Sequence, residues 1–413
     1  MSKPIGPIPP GFQADEDDML LIGGRRADEL AAEAGDTPLF VYDLAMIGAK
    51  VRRFRDSFAD VDLHFAMKAN PYPPVLKYVL DKVDGIDLAS GGEMMAAIEA
   101  GADPARMSFA GPGKRDSELE AALGAGVTLN CESEGEVGRA LAIGRRIGVT
   151  PRLAVRVNPD FEIKGSGMRM GGGARPFGVD AERVPALVRT ILAGGADWRG
   201  FHIFAGSQAL SAEALIEAQR AAVALAAELG EQAGASPPLV NLGGGFGIPY
   251  VHGDAALHIG PIAAALAAEL AARPPVLAGS RFAIELGRWL VGECGVYLTR
   301  VLDRKLSHGK TFLVTDGGMH HQLAASGNFG QVIRRNYPAA IASRFAGEPE
   351  EEVSIVGCLC TPLDRLADDV MMPQAEVGDL VAIFLAGAYG LSASPQRFLS
   401  QHPALEMVVT GKD

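Results

Sequence analysis

The stretch His64-Phe65-Ala66-Met67-Lys68-Ala69-Asn70-Pro71 decides the fold predicted for this chain of 413 residues. A short apolar run ends in one lysine, and Asn70-Pro71 then forces the chain to turn. A lysine at the carboxyl end of a buried strand lies where α/β barrels and open sheets hold their chemistry, and its amine there can be desolvated and nucleophilic. Most lysines that follow strands are solvated, so this stretch alone makes Lys68 only a candidate for Schiff-base formation.

The chain from Ile47 onward repeats one pattern, in which a short apolar run is followed by a helical segment. Eight runs are predicted as strands, at 63–67, 86–89, 107–110, 128–131, 153–157, 200–204, 239–242 and 282–285. Apolar residues at helical spacing between these runs predict helices, for example at 92–100, 117–125, 134–147, 184–192 and 212–229. This alternation predicts an α/β fold, a (β/α)₈ TIM barrel, and its rival is a doubly wound parallel sheet.

The pattern changes after Glu285. Strand-like runs at 295–301, 311–315, 352–356, 380–385 and 405–409 have little helix between them, which predicts a C-terminal β domain. Two earlier strands, at 19–22 and 39–42, flank a helix at 27–34 and are expected to pair with this domain. Residues 1–18, rich in proline and acid, are expected to form a surface arm. The predicted division is 1–45 for the arm and first strands, 46–288 for the barrel and 289–413 for the β domain.

The composition excludes several classes of protein. A net charge of −12 argues against nucleic acid or an anionic membrane surface as the main partner. The apolar runs are too short and too interrupted for membrane insertion. Four cysteines in a chain of this length do not make a disulfide framework, and no secretion signal precedes the first strand. A cytoplasmic protein is therefore expected.

Residues with reactive or ligand-binding side chains stand at the ends of five predicted strands, the edge at which a barrel collects its chemistry. They are Lys68; Asp87 with Ser90-Gly91-Gly92-Glu93; His202, Phe204 and Ser207; Gly243, Gly244 and Gly245; and Glu285, Gly287 and Arg288. Each alone has a plain structural explanation, as a buried histidine, a glycine turn or an ion pair. Their occurrence together at successive strand ends indicates one shared site.

Pyridoxal phosphate is the cofactor that unites these residues. A glycine turn after a strand leaves backbone N–H groups for a phosphate, and Ser207 and Arg288 add a hydroxyl and a guanidinium. Lys68 would bind the cofactor's aldehyde, and Glu285 would keep the pyridine nitrogen protonated, so that the ring accepts electrons. An aromatic or imidazole ring from the sixth strand would stack on the cofactor.

Several motifs resemble the fold-type III pyridoxal-phosphate decarboxylases, the family of the diaminopimelate and ornithine decarboxylases. They are 65–70, Asp87 with 90–93, 206–208, 243–247, 285–288, Cys360 with Asp364, and 387–390, and they extend over nearly the whole chain. Three further segments, 158–167, 202–208 and 324–331, resemble the branch named exosortase A system-associated decarboxylases.

The resemblance implies a role for each matched residue. Lys68 matches the Schiff-base lysine, Asp87 an acid close to it, and Glu285 the partner of the pyridine nitrogen. Contacts to the cofactor phosphate are matched by Ser207, Gly243, Gly244, Gly245, Gly287, Arg288 and Tyr389. Cys360 matches a cysteine that enters the active site from the other subunit and handles the proton after CO₂ leaves, which implies a homodimer with shared sites. A thiol suits this role because its pKa lies near the working range.

Three positions depart from the family's pattern. Phe204 stands where the family has a ring-stacking histidine, and His202 lies two residues earlier, so either residue can be the one that stacks. Leu286 replaces the proline of the Glu-Pro-Gly-Arg motif. Thr361 follows Cys360 where diaminopimelate decarboxylases place a glutamate that holds the far ammonium group. Without that acid, diaminopimelate is not the expected substrate.

The residues that recognise the substrate are predicted less sharply. Arg334, Arg335 and Tyr337 fall where relatives bind a distal carboxylate, and a solvated basic helix end explains the arginines equally well. The exosortase branch resembles decarboxylases that act on an amino acid tethered to an acidic carrier protein. Either Arg52, Arg53 and Arg55 or the pair Arg334 and Arg335 can supply a basic docking patch. The predicted substrate-binding residues are Arg288, Arg334, Tyr337, Asp364 and Tyr389.

The predicted activity is decarboxylation of an L-amino acid or of an aminoacyl group on an acyl-carrier protein, with Lys68 and Cys360 as catalytic residues. An amino-acid racemase on the same cofactor would need a tyrosine base in the second domain, and Cys360 with Asp364 argues against it. An inactive regulatory homologue would have lost Lys68 or Cys360, and a simple cofactor carrier would lack the β domain. A metal site at Cys358 and Cys360 is disfavoured because no second cysteine pair accompanies them.

Overall fold

The computed structural model describes residues 2–162, 167–169, 172–329, 331 and 334–411 of the chain, and only the backbone of Met168 and Arg169. The chain forms two compact units. The barrel unit comprises Val51–Gly247 and Ala256–Gly287, and the β unit comprises Met1–Lys50, Ile248–Ala255 and Arg288–Asp413.

The barrel unit contains eight parallel strands that follow one another around a closed barrel. They are Asp62–Ala66, Gly85–Leu88, Met107–Phe109, Thr128–Cys131, Arg152–Asn158, Asp197–Ile203, Leu239–Asn241 and Arg281–Leu286. The eighth strand pairs with the first, as Glu285 lies opposite His64 in the register, and this pairing closes the sheet. The predicted (β/α)₈ barrel is confirmed, and the doubly wound sheet is excluded because its sheet would stay open.

Side chains along the barrel strands alternate between large apolar and polar or small residues. In the first strand, buried Leu63 and Phe65 alternate with His64. Successive residues of a strand face opposite sides of the sheet. The polar residues bond to one another from different strands, as His64 does with Asp87 and as His202 does with Glu285. The barrel interior is therefore polar, and the apolar face packs outward.

Helices alternate with the barrel strands and begin at short polar caps. The side chain of Ser90 accepts a hydrogen bond from the N–H of Glu93 at 3.1 Å, and Ser133 does the same for Glu136 at 3.1 Å. Such caps satisfy N–H groups that the first helical turn leaves unpaired. The helices of the chain are Ala27–Ala34, Leu44–Ser57, Pro73–Leu80, Gly91–Glu99, Asp116–Ala125, Glu134–Ile147, Val184–Ala193, Ala212–Ala233, Ile259–Ala271 and Arg288–Val291.

The β unit is built on one large sheet. Its strands are Leu39–Asp43, Gly295–Ser307, Lys310–Thr315, Ala339–Ile341, Glu351–Val356, Arg365–Met372, Leu380–Ile383 and Leu405–Val409. The strand at Leu39–Asp43 pairs with both Gly295–Ser307 and Leu405–Val409. The strands at Ala339–Ile341 and Arg365–Met372 were not predicted. In the second of these, Asp368 and Asp369 interrupt the apolar pattern, and Asp369 adopts a positive φ of 51°.

The first residues of the chain depart from the predictions. The strand at Leu20–Ile22 pairs with Gln13–Ala14 and Arg25–Arg26 in a small sheet of its own, not with the large sheet. The expectation of a surface arm is wrong for its middle part, since Ile5 forms a β-bridge with Asn336 and Phe12 is 8% exposed. The prediction missed the burial of Phe12 because the surrounding sequence is rich in proline and acidic residues.

Candidate active site

Lys68 lies on a short 3₁₀ turn directly after the first barrel strand. The turn, Met67–Ala69, is closed by a hydrogen bond from the N–H of Asn70 to the carbonyl of Met67 at 3.1 Å. Met67, Ala69 and Asn70 are buried, whereas Lys68 is exposed. Its Nζ lies 5.6 Å from the centroid of the Phe204 ring. The turn thus presents one amine at the carboxyl end of the barrel.

Glu285 and His202 form a buried pair beside this amine. The distance from His202 Nε2 to Glu285 Oε2 is 2.9 Å, and the two side chains are 6% and 7% exposed. Burial acts to raise the pKa of Glu285, but the hydrogen bond and charge of His202, with the charges of Lys68 and Arg156, outweigh it. The pKa of Glu285 is therefore well below its usual range. The lowered pKa favours the ionised form of Glu285 at neutral pH.

His202 and Phe204 occupy different positions at the end of the sixth strand. His202 lies within Asp197–Ile203, whereas Phe204 lies just beyond it. The two rings are 6.5 Å apart, between centroids, at an interplanar angle of 31°. His202 bonds to Glu285 and Phe204 faces Lys68, so the stacking role that the sequence left open between them stays a prediction.

A glycine turn follows the seventh strand at a position where side chains do not fit. Gly243 and Gly245 have positive φ angles of 67° and 78°, and a Cβ on Gly244 would lie 1.8 Å from the carbonyl oxygen of Glu285. The turn is held by a hydrogen bond from the N–H of Gly243 to Asn241 Oδ1 at 2.9 Å. A Cβ on Gly287 would likewise lie 2.8 Å from the Cβ of Ala69. These glycines leave a bare backbone cradle of the kind that binds phosphate.

The β unit holds a cluster of tyrosines around Arg288. Arg288 Nη1 donates to the hydroxyl of Tyr250 at 2.8 Å, and its guanidinium carbon lies 4.8 Å from the ring centroid of Tyr389. The Nε of Arg288 is buried without a hydrogen-bond partner in the part of the chain that the structure describes. Tyr337 is 7% exposed and its ring lies 4.8 Å from that of Tyr250. Tyr337 therefore packs inside this cluster, and its predicted contact with substrate stays a prediction.

Cys360 and Asp364 lie on one turn after the strand Glu351–Val356. Cys360 is exposed, whereas Asp364 is 2% exposed. Asp364 accepts hydrogen bonds from the N–H groups of Met319 at 2.6 Å and Leu359 at 2.8 Å, one on each carboxylate oxygen. Asp364 thus holds the turn that carries Cys360, and its predicted contact with substrate stays a prediction.

Comparison with known proteins identifies the family. Residues 44–292 match the family model described as pyridoxal-dependent decarboxylase, pyridoxal binding domain. The chain belongs to the pyridoxal-dependent decarboxylases. It is 36% identical over 380 residues to the L-glutamyl-[BtrI acyl-carrier protein] decarboxylase of Niallia circulans, covering 90% of this chain and 89% of that protein. It is 32% identical to the diaminopimelate decarboxylase of Methanothermobacter thermautotrophicus, covering 98% and 94% of the two chains.

Solved structures agree with this assignment. The crystal structure of the diaminopimelate decarboxylase from M. jannaschii has a TM-score of 0.87 and 25% identity, and the match covers 96% of this chain and 92% of that one. The structure of AQ1208 from Aquifex aeolicus has a TM-score of 0.83 and 28% identity, with coverage of 98% and 93%. The predicted barrel with a β domain, the decarboxylase activity and the cofactor pyridoxal phosphate are therefore confirmed.

The residues of this decarboxylase fit the cofactor. The glycine turn carries no side chains and leaves backbone N–H groups that can bind a phosphate, the buried carboxylate of Glu285 suits a protonated ring nitrogen, and Lys68 is an exposed amine at the same end of the barrel. Among the described residues, no group of three or more His, Cys, Asp or Glu side chains is placed to hold a metal ion. No helix in the described ranges is long and apolar enough to cross a membrane.

The arginines predicted to bind a substrate or a carrier protein differ in their exposure and in whether they already bond to other residues of the chain. Arg334 donates to the carbonyl of Arg365 at 2.7 Å, and Arg53 donates to the carbonyl of Leu257 at 3.3 Å. Arg55 forms an ion pair with Asp84 at 2.7 Å. Arg52 and Arg335 are exposed. Residues 163–166 and 330 of the branch-specific motifs lie outside the described residues.

Two buried charges of this decarboxylase were missed by the sequence predictions. Arg156 of the fifth strand donates to Glu132 Oε1 at 2.8 Å, with side chains 9% and 2% exposed, and its charge also acts on Glu285. His64 bonds to Asp87 in the barrel interior at 3.2 Å. The signal that would have found them is the alternation along each strand, because a polar residue between two large apolar ones must face the inside.

Proposed function

We propose that this decarboxylase acts on an amino acid held as an acyl group on a carrier protein. The observation that carries the proposal is the 36% identity, over nine-tenths of the chain, to a decarboxylase named for a glutamyl group on an acyl-carrier protein. Thr361 supports it, because the glutamate that would hold the far ammonium group of diaminopimelate is absent from the position after Cys360. The α-carboxylate must be free to leave as CO₂, so a glutamyl group would be joined to the carrier through its side-chain carboxyl. It then has no far ammonium group for such an acid to hold.

Different residues of the chain have different roles in the proposed reaction. Pyridoxal phosphate, when bound, supplies a ring that accepts the electron pair left on the α-carbon as CO₂ departs. Lys68 anchors the cofactor through its aldehyde, and Glu285, kept ionised by His202 and Arg156, holds a proton on the pyridine nitrogen. The glycine cradle, with Ser207, binds the phosphate. The resemblance assigns phosphate binding to Arg288 and Tyr389 also.

The substrate is tested by comparing a glutamyl-loaded carrier protein with free glutamate and other free L-amino acids. We expect kcat/KM for the carrier-bound group to be at least about 100-fold higher, because contacts remote from the reacting carbon contribute to transition-state binding. Product mass is read by mass spectrometry, and the product must lose the mass of CO₂. Equal or better turnover of a free amino acid would contradict the carrier proposal, and an epimer that keeps its carboxylate would indicate a racemase.

Charge reversal on the exposed arginines locates the docking surface in the same assay. Arg52→Glu and Arg335→Glu are compared with Arg145→Glu, another exposed arginine, on the helix Glu134–Ile147. The variant on the true docking face should lower kcat/KM for the carrier-bound substrate, most strongly at low salt, and leave a free amino-acid substrate unaffected.

We further propose that Cys360 delivers the proton to the α-carbon and that it does so in the site of a second copy of the chain. Support comes from the exposure of Cys360 on a turn held by Asp364, and from the resemblance to dimers with shared sites. When two variants are mixed in equal amounts, half of the dimers contain one copy of each. In such a dimer, one of the two active sites has both Lys68 and Cys360. An equal mixture of Lys68→Ala and Cys360→Ala should therefore recover about a quarter of wild-type activity. If mixing restored no activity, Cys360 would not act across subunits.

A further inference from the structure

A polar cavity lies inside the barrel at the amino ends of its strands. Its volume is about 120 Å³. Its lining is mixed. The polar and charged residues are His64, Ser108, Thr128, Asn130, Asn241, Asp62, Asp84, Arg106, Arg199 and Arg281, and the apolar ones are Ala105, Met107, Ala154, Phe201 and Leu239. The interior of such a barrel is ordinarily filled by layers of branched apolar side chains. The volume of this cavity and its polar groups are sufficient to accommodate water.

A chain of hydrogen bonds leads from this cavity toward the carboxyl end of the barrel. His64, which lines the cavity, bonds through Nδ1 to Asp87 Oδ2 at 3.2 Å. Ser108 donates to the other oxygen of Asp87, and Asn130 Nδ2 donates to Ser108 Oγ at 3.0 Å. In the strand register, Asp87 lies opposite Ala66, the last residue of the first strand before the turn that carries Lys68.

The imidazole of His64 is placed among groups that favour its proton. Its ring lies against Gly85, where a Cβ would come within 2.6 Å of Nε2. Burial lowers the pKa of His64, but the charge and hydrogen bond of Asp87 and the charges of Asp62 and Glu285 outweigh it, so the pKa is raised. The other charged groups facing the cavity are Asp84 and the three arginines, of which Arg281 is paired with Asp62 at 2.7 Å.

The decarboxylation reaction needs a supply of protons from solvent. Decarboxylation breaks the bond from the α-carbon to the carboxylate and forms a C–H bond, so each turnover consumes one proton. The acid that gives this proton must regain one from solvent. A carrier-bound substrate approaches the carboxyl end of the barrel, where chemistry collects in this fold, so a second entrance at the opposite end would stay open to water.

We propose that the cavity, His64 and Asp87 form a proton path from the amino end of the barrel to the site around Lys68. A hydronium ion of the cavity water gives its proton to Nε2 of His64 and leaves a water molecule. The imidazolium gives its Nδ1 proton to Asp87, Asp87 passes it to the acid that has lost its proton to the α-carbon, and the ring then returns to its starting tautomer. Each transfer breaks one N–H or O–H bond and forms another, so no oxidant or reductant is required. His64 acts here as a relay and touches neither substrate nor cofactor.

The test compares His64→Ala and His64→Gln with His258→Ala, which alters an exposed histidine of the barrel unit whose side chain makes no cap hydrogen bond. We expect His64→Ala to lower kcat roughly 10- to 100-fold with little change in KM. Added imidazole, which fits the space left by the side chain, should restore kcat in His64→Ala, and the restored rate should follow the imidazolium concentration. His64→Gln should be equally slow but not rescued, because glutamine fills the space.

A second measurement does not depend on turnover. In the NMR spectrum of the apoprotein labelled at histidine nitrogen, the pKa of His64 should be higher than the ordinary histidine value, and Asp87→Asn should lower that pKa. Unchanged kcat in both His64 variants would overturn the proposal, as would a loss that imidazole does not restore in His64→Ala. If His64→Ala does not fold, two results still overturn it: wild-type rates in His64→Gln, or a His64 ring that does not exchange its proton with solvent.

Discussion

Replacement of Lys68 by alanine is expected to lower kcat for decarboxylation by at least about 10³-fold, the scale of loss seen when a covalent nucleophile is removed. Lys68 is the amine that the turn Met67–Ala69 presents at the carboxyl end of the barrel, 5.6 Å from the Phe204 ring. Lys68→Arg should be as inactive, because a guanidinium keeps the charge but cannot attack an aldehyde at neutral pH.

The matched control for this loss is Lys77→Ala, which removes an exposed lysine from the next helix, Pro73–Leu80. It should keep wild-type kcat. Without the cofactor, both variants should unfold at the urea concentration at which the wild-type apoprotein unfolds, because an exposed side chain contributes little to stability. More than a tenth of wild-type kcat in Lys68→Ala would remove Lys68 from the covalent role.

Glu285→Gln is the second large expected effect, a fall in kcat of about 10²- to 10³-fold, typical of removing one preorganised charge from a dry active site. The carboxylate is 7% exposed and bonded to His202 at 2.9 Å. A neutral amide fills the same space but cannot hold a proton on the pyridine nitrogen. Glu285→Asp, which keeps the charge on a shorter side chain, should lose less, and equal kcat in the Gln variant and wild type would refute the role.

The hydrogen bond between His202 and Glu285 determines how activity should change with pH. In the wild type, the pKa of Glu285 is held below its usual range, so this carboxylate does not limit the rate as pH falls through the weakly acid range. In His202→Phe the hydrogen bond is lost, and burial then raises that pKa. Activity of this variant should therefore decline on acidification at a pH where wild type is still active, as a pH–kcat profile would show.

The barrel was predictable because its strands are short apolar runs separated by helices with clear apolar spacing. The helix predicted at 134–147 has the bounds Glu134–Ile147 in the structure, where Ser133 caps its first turn. The strand Arg365–Met372 escaped prediction because Asp368 and Asp369 interrupt its pattern. Their charges are compensated by Lys3, which is distant in sequence. Pairing between remote residues of this kind cannot be inferred from local composition.

The site was predictable where a residue type and a strand end coincide, as at Lys68 and Glu285. The role of a polar residue was not predictable where its side chain could either support a turn or contact the substrate. For example, the sequence does not show that backbone amides bond to the carboxylate of Asp364, or that Tyr337 packs on Tyr250. Only three-dimensional packing separates a side chain that supports a turn from one that faces a substrate.

Peptide mapping after borohydride reduction tests the central claim, that the turn after the first barrel strand holds the cofactor. The wild-type enzyme is loaded with pyridoxal phosphate, reduced, digested and analysed by mass spectrometry. The reduced cofactor is predicted on the one peptide that contains Lys68, and on no peptide of the Lys68→Ala enzyme. Cofactor fixed to another lysine, such as Lys114 or Lys82, would contradict the account and place the active site elsewhere.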